Sequence, residues 1–298
     1  MDITPEDLEK WKKACRISAE ALAYGKTLIR KGEPVVVVCD KVDEKIMQLG
    51  AKPSFPAQIS LNHVAAHYCG EKDDPFLLDG ILKLDVGAHI DGFSGDNALT
   101  VDLSGEHEKL VEASREALNA AIEVIRPGIT LGEIGRVIEA KIREHGYKPI
   151  RNLSGHGIGK FEIHTSPTVP NFDSGDTTRL EDGQIIAIEP FATNGAGMIA
   201  ESGEAGVFSL GVRRPVRDQF ARQLLDEIQQ EYGTLPFAKR WLTRKYSTMR
   251  VNLAFNQFMQ QGIIIQYPPL VEKAKGMVSQ AEHTVLVKDK AVVLTRAD

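Results

Sequence analysis

The chain repeats itself once, and that repeat constrains the fold more than any other feature of the sequence. Residues 21–53 align without a gap on residues 117–149, an offset of 96. Ten positions are identical, among them Ala21/Ala117, Leu22/Leu118, Ile29/Ile125, Gly32/Gly128, Ile46/Ile142, Gly50/Gly146 and Lys52-Pro53/Lys148-Pro149. The period is far too long for a solenoid. Each copy reads as a pair of amphipathic helices that leads into strands. Two such units predict two pseudo-symmetric halves facing each other.

Local signals fill in the halves. Thr4-Pro5-Glu6-Asp7 predicts a helix start, with Thr4 as N-cap and Pro5 at the first helical position. Gly50 closes a second helix. Ile81 to Ile90 and Phe93 to Leu103 read as the arms of a hairpin turning at Asp91-Gly92. Ser104 is expected to cap a helix running to about Ile125, and Thr130-Leu131-Gly132-Glu133 has the form of a capping box. The second half is interrupted at roughly 214–267 by a helical pattern. Phe220, Leu224, Leu225 and Ile228 are followed by Gly233, then by a helix from Ser247 to Gln261 with Leu253, Phe258 and Met259 apolar. After Pro268-Pro269 a helix and strands are expected, including 282–287 and 291–294. These readings predict an α/β fold of the mixed α+β kind. They make 1–298 one catalytic domain with a helical insertion subdomain at about 214–267.

Bulk properties exclude several classes. A net charge of −5 with no long basic tract argues against broad nucleic-acid binding. No run approaches the ~18 apolar residues that span a membrane. The N-terminal stretch, with Asp2, Glu6, Asp7 and Glu9, lacks the apolar core of a signal peptide. Three cysteines, Cys15, Cys39 and Cys69, form no close-spaced pair, which fits a reducing compartment. The expectation is a cytoplasmic protein.

Five side chains sit where a strand or tight turn would favour something apolar or small. Asp85 lies in Lys83-Leu84-Asp85-Val86-Gly87, and Asp96 follows in the other arm of the hairpin. His156 lies in Ser154-Gly155-His156-Gly157, where small neighbours allow close approach. Glu189 ends the run Ile185-Ile186-Ala187-Ile188, and Glu282 opens an alternating strand. Singly, each has an ordinary reading as a turn residue, a half-exposed strand residue, a salt-bridge partner or a loop histidine. Jointly, four carboxylates and one imidazole need compensation if buried. Two divalent cations could supply it, and hard oxygens with one imidazole suit Mn, Fe, Co or Zn.

The segments Lys83 to Gly87, Ile90-Asp91-Gly92-Phe93 with Asp96, Ser154-Gly155-His156, Ile188-Glu189-Pro190-Phe191 and Glu282-His283-Thr284 closely resemble, in order, the motifs of methionine aminopeptidases. The spacing of His156 and His164, the helical block before Tyr267, and Asn62 to Tyr68 resemble the type 2 enzymes. The absence of a charged N-terminal extension resembles the archaeal ones. The chain departs from the family pattern at Cys69-Gly70, Ser166-Pro167, Gly157-Ile158-Gly159 and Ala281, without loss of a ligand.

The resemblance implies the pseudo-two-fold "pita-bread" fold with a central antiparallel sheet. It implies removal of N-terminal methionine through attack by a hydroxide held between two metal ions. Asp85, Asp96, His156, Glu189 and Glu282 are then the ligands, with Asp96 and Glu282 bridging. Glu189 shuttles the proton, His164 stabilises the oxyanion and His67 contacts the peptide beyond the scissile bond. Phe55, Ile163 and Tyr267 are the expected walls of a methionine pocket. The expected substrates are the N-termini of nascent polypeptides near the ribosome, met by a monomer that binds neither membrane nor nucleic acid directly. Two rivals remain at this point: a prolidase-like Xaa-Pro aminopeptidase, and a non-catalytic, ribosome-associated binding relative.

Overall fold

Thr4 accepts the Asp7 N–H and starts α1 (Pro5–Leu28), which is followed by α2 (Val35–Gln48). The computed structural model describes residues 3–296, so Asp2 of the acidic N-terminus lies outside it. The chain continues through β1 (Lys52–Leu61) and the short β2 (Val64–Ala66) to the hairpin β3 (Ile81–Ile90) and β4 (Phe93–Asp102). Asp91 and Gly92 both take positive φ, 52° and 87°, as a tight two-residue hairpin turn requires.

The second half opens with α3 (Glu108–Val124) and α4 (Leu131–Glu144). The capping box at Thr130 and Glu133 is formed, but Ser104 does not cap α3. The carboxylate of Asp102 accepts from the Ser104 N–H, the Ser104 hydroxyl and the His107 N–H, so the chain turns once more before the helix starts. Then come β5 (Lys148–Pro149), β6 (Ser154–Gly159), β7 (Glu162–Pro170), β8 (Ile185–Ile188), β9 (Phe191–Thr193) and β10 (Ile199–Glu201).

The repeat survives as matching hydrogen bonds. Gly32 donates to the Leu78 carbonyl at 2.9 Å, and Gly128 donates to the Leu180 carbonyl at 2.8 Å. Gly50 and Gly146, the paired helix stops, both have φ of +84°. Ala21, Leu22, Ile29 and Ile46 pack in a core between the first helix pair and β1, β3 and β4. Their counterparts Ala117, Leu118, Ile125 and Ile142 pack in a second core with β8 and the strand at 282–286.

Next come β11 (Val207–Leu210), α5 (Gln219–Glu231), β12 (Phe237–Ala238), α6 (Lys239–Lys245), α7 (Thr248–Gln260) and β13 (Ile264–Tyr267). This helical block has its own core, built on Phe208, Phe220, Phe237, Phe255 and Phe258. Leu253, expected on the apolar face of α7, is 64% exposed, because Val251, Ala254, Phe255 and Phe258 form that face instead.

Among the described residues no helix follows Pro268-Pro269. The chain forms β14 (Leu270–Glu272), β15 (Val278–Gln280), β16 (Glu282–Leu286) and β17 (Val292–Val293). The buried Glu272 carboxylate accepts the N–H groups of Ala274 and Gly276, which ties residues 273–276 into a turn. The principal sheet runs β1-β3-β4-β16-β8-β6-β7, with β17 beside β16, and all these neighbours pair antiparallel. Strands from both halves therefore meet at β16. No helix among the described residues is long and apolar enough to cross a membrane.

Candidate active site

In the β3–β4 hairpin, Asp85 lies opposite Ala98 and Asp96 lies opposite Gly87. Positions two apart on a strand share a face, so the two carboxylates are diagonal neighbours. Glu282 joins them because β16 pairs with β4 at Ala98. Thr284 fixes that junction: its hydroxyl accepts the Asp96 N–H and donates to the Asp96 carbonyl, each at 2.8 Å.

His156 arrives on β6, opposite Ala187 of β8. Glycines flank it for a steric reason. A Cβ at Gly155 would lie 2.3 Å from the Ala187 carbonyl oxygen, and one at Gly157 would lie 2.1 Å from that of Ser166. Glu189 follows β8, its carbonyl held by the Asn171 side-chain amide at 3.2 Å.

One cavity of about 690 Å³ is lined by all five of these residues and by His67, His164, Phe55, Ile163 and Tyr267. Ligand atoms of Asp96, His156 and Glu282 lie within 4.8 Å of one another. His156 Nε2 is 3.5 Å from Glu189 Oε1 and 3.9 Å from Asp96 Oδ2. Asp85 connects to the group through Gln280, whose Nε2 lies 3.5 Å from Asp85 Oδ2 and 3.4 Å from Glu282 Oε2.

The electrostatics show what the cluster lacks. Burial raises the pKa of Asp85 to about 7, and it pushes Asp96, Glu189 and Glu282 well above the carboxylate range, with mutual repulsion adding to the shift. Among the described residues no lysine or arginine pairs with any of the four. The nearby buried Lys83 donates instead to the Asn62 carbonyl at 2.8 Å. Asp85 Oδ1 and Asp96 Oδ1 are buried without a hydrogen-bond partner. Buried anions normally have partners, so these orphaned oxygens mark a missing positive charge. Burial, followed by the charge of His164, depresses His156 to about 3, which keeps its imidazole neutral, the form that ligates metal. Four carboxylates with one neutral imidazole therefore fit divalent cations in charge and in donor type.

The remaining residues line the substrate side. His67 sits at φ +68°, and its ring meets Tyr267 edge-on at 5.9 Å. His67 Nδ1 is buried without a partner, and burial lowers its pKa to about 4. His164 lies edge-on to His156 at 4.4 Å, and desolvation beside the cavity lowers its pKa. Phe55 and Ile163 cluster with Leu235, while the Tyr267 hydroxyl bonds to Ser209 at 3.0 Å. Sequence reading assigned no role to Gln280, Thr284, Asn171, Leu235 or Gln58, whose Oε1 accepts the His67 N–H at 2.8 Å. Each acts through a partner brought close only by folding.

Residues 9–289 match the metallopeptidase family M24. The chain is 43% identical over 289 residues to a methionine aminopeptidase of Archaeoglobus fulgidus, covering 96% of this chain and 97% of the relative. It is 40% identical over 292 residues to one of Methanocaldococcus jannaschii, covering 97% and 98%. Among solved structures, methionine aminopeptidase of Thermotoga maritima superposes with a TM-score of 0.71 at 26% identity, covering 98% of each chain. A thermophilic Arx1 (TM-score 0.83, 17% identity, 98% and 91% covered) shares the fold. So does the prolidase of Pyrococcus furiosus (0.64, 22%), of which this chain covers 65%. By sequence over nearly its whole length and by its fold, the chain belongs to metallopeptidase family M24, among the methionine aminopeptidases.

Proposed function

We propose that this chain hydrolyses the first peptide bond of polypeptides that begin with methionine, using two divalent cations. One observation carries the reading: a single cavity lined by four carboxylates and the imidazole of His156, by His67 and His164, and by an apolar wall. Asp85, Asp96, His156, Glu189 and Glu282 would hold the cations. Four carboxylates balance the charge of two such ions, and Co, Mn, Fe or Zn suits the donor set.

When bound, the cations supply Lewis acidity toward the scissile carbonyl and make a water a stronger nucleophile. Glu189 takes the proton that this water loses on attacking the carbonyl carbon. It returns that proton to the amine nitrogen as the carbon–nitrogen bond breaks. His164 donates a hydrogen bond to the developing oxyanion. His67, neutral near pH 7, contacts the peptide beyond the scissile bond. Phe55, Ile163 and Tyr267 enclose the methionine side chain, an unbranched thioether suited to an irregular apolar pocket.

The segment at about 214–267 is an insertion within one catalytic domain. The substrates are the N-termini of nascent polypeptides, met near the ribosome by a cytoplasmic monomer. The three unpaired, buried cysteines support that compartment. A panel of peptides tests the substrate. The Mn- or Co-loaded protein should cleave Met-Gly-Met with a kcat/KM well above that for any Xaa-Pro peptide. Comparable values would favour the prolidase-like rival.

A further inference from the structure

The repeat is broken where the helical block touches the first half. Asp40 and Asp43 of α2 align on Arg136 and Glu139 of α4. In the second half, Glu139 accepts the Asp173 N–H at 2.9 Å and pairs with Arg143 at the surface. In the first half, Asp43 accepts the Ala57 N–H at 2.9 Å, but it is buried. Its second oxygen accepts from Arg240 Nη2 at 2.7 Å and from Trp241 Nε1 at 3.0 Å, both of α6. Asp40, standing where the other copy has arginine, accepts from Arg240 Nε at 3.1 Å. The third arm of the same guanidinium, Nη1, donates to the Cys69 carbonyl at 2.8 Å. Arg240 is 0% exposed.

These bonds bracket one side of the cavity. The pairing of β1 with β3 slips between Phe55 and Gln58, so the regular ladder does not hold Ala57. Asp43 holds it instead. Ten residues on, His67 is kept in a left-handed conformation that a non-glycine residue rarely adopts. Its N–H is bound by Gln58, and the Ile59 N–H donates to the Tyr68 carbonyl at 2.8 Å. Strained backbone persists only where its surroundings over-determine it.

We propose that Arg240 is a positioning residue for the substrate pocket. By holding Ala57 through Asp43, and Cys69 directly, it sets the place of Phe55, Gln58 and His67. Only a planar fork can make these three bonds at once, so lysine cannot replace it. The consequence for substrate binding rests on the proposed aminopeptidase reading, whereas the clamp itself does not.

Arg240→Lys is the informative variant, because it keeps the charge and spares the buried Asp43 from losing its cationic partner, while Asp40 keeps Arg244 in either case. In cation-free full-length protein, NMR of ring-labelled histidine should show the His67 resonances displaced and those of His107 and His145 unmoved. In Mn-loaded protein, the stoichiometry and affinity for Mn should match wild type. KM for Met-Gly-Met should rise about 10-fold with kcat within about 3-fold, the pattern of lost uniform binding. Trp241→Phe removes one donor from Asp43 and should shift His67 in the same direction by less. Phe255→Leu, within the core of the helical block, should lower Tm without moving His67 or KM.

A folded Arg240→Lys protein with a lower Tm but wild-type His67 resonances and KM would overturn the proposal. If that variant does not fold, unmoved His67 resonances in Trp241→Phe overturn it. Absence of peptidase activity in wild type would defeat the functional reading alone and leave the NMR comparison to decide the clamp.

Discussion

Glu189 sits 3.5 Å from His156 Nε2 and lines the cavity where a peptide carbonyl would lie. A carboxylate so placed can ligate and move a proton, and Glu189→Gln separates the two. The amide keeps an oxygen ligand but loses the basic site. The variant should retain its Mn content by elemental analysis while kcat falls by at least ~10²-fold. Near-normal turnover with Mn bound would assign the proton transfer to another group. The five residues that the fold gathers in the cavity were legible because an Asp, Glu or His in an apolar or glycine-rich strand is locally out of place. Their supports were not. Thr284 holds Asp96 from 188 positions away, and nothing local distinguishes that threonine from any strand threonine. The same holds for Gln280 and Asn171, ordinary polar residues whose partners are set by strand order.

Among the elements, the β3–β4 hairpin carries two of the clustered carboxylates, Asp85 and Asp96, and a histidine secures its turn. His89 Nδ1 accepts the Gly92 N–H at 3.1 Å, so that nitrogen must stay unprotonated. Burial, aided by Lys52, lowers His89 to about 4. Above the ordinary histidine pKa, folded and unfolded chains are both neutral there. As pH falls below 6.5, the unfolded chain takes up the proton first, and stability is lost until the folded state also protonates near 4. In urea unfolding, His89→Gln, which can still accept the bond, should reduce the pH dependence of stability between pH 4 and 6 by about 1.4 kcal/mol per pH unit. An unchanged slope would mean that His89 does not resist protonation. This hairpin was readable because Asp-Gly dictates its own turn, and the capping box at Thr130 was readable for the same reason. Ser104 misled because Asp102, two residues earlier, took both its hydroxyl and the N–H at His107. The helix expected after Pro269 failed because Glu272 organises that segment as a turn.

At the scale of the whole molecule, the repeat announced two halves, and folding brings four carboxylates from both of them to β16 and its neighbours. What the repeat could not show is where the helical block docks. That contact depends on Asp40 and Asp43 meeting Arg240, about 200 positions later. The convergence of acids raises their pKa values, so ionising them together is costly without a cation beside them. A divalent cation that binds only the folded state should therefore stabilise it. At a concentration 100-fold above Kd the gain is about 2.7 kcal/mol, a rise in Tm of about 4 °C for a chain of this size. Scanning calorimetry with added Mn should show it, and Asp96→Ala should abolish most of it. A Tm indifferent to Mn would mean that the cluster does not bind the ion. The most direct test of the central claim is anomalous diffraction from crystals of the Mn- or Co-loaded protein. The account predicts two peaks in the cavity roughly 3.5–4 Å apart, with Asp96 and Glu282 between them and Asp85, His156 and Glu189 completing the shell. A single peak, or peaks away from these five residues, would contradict it.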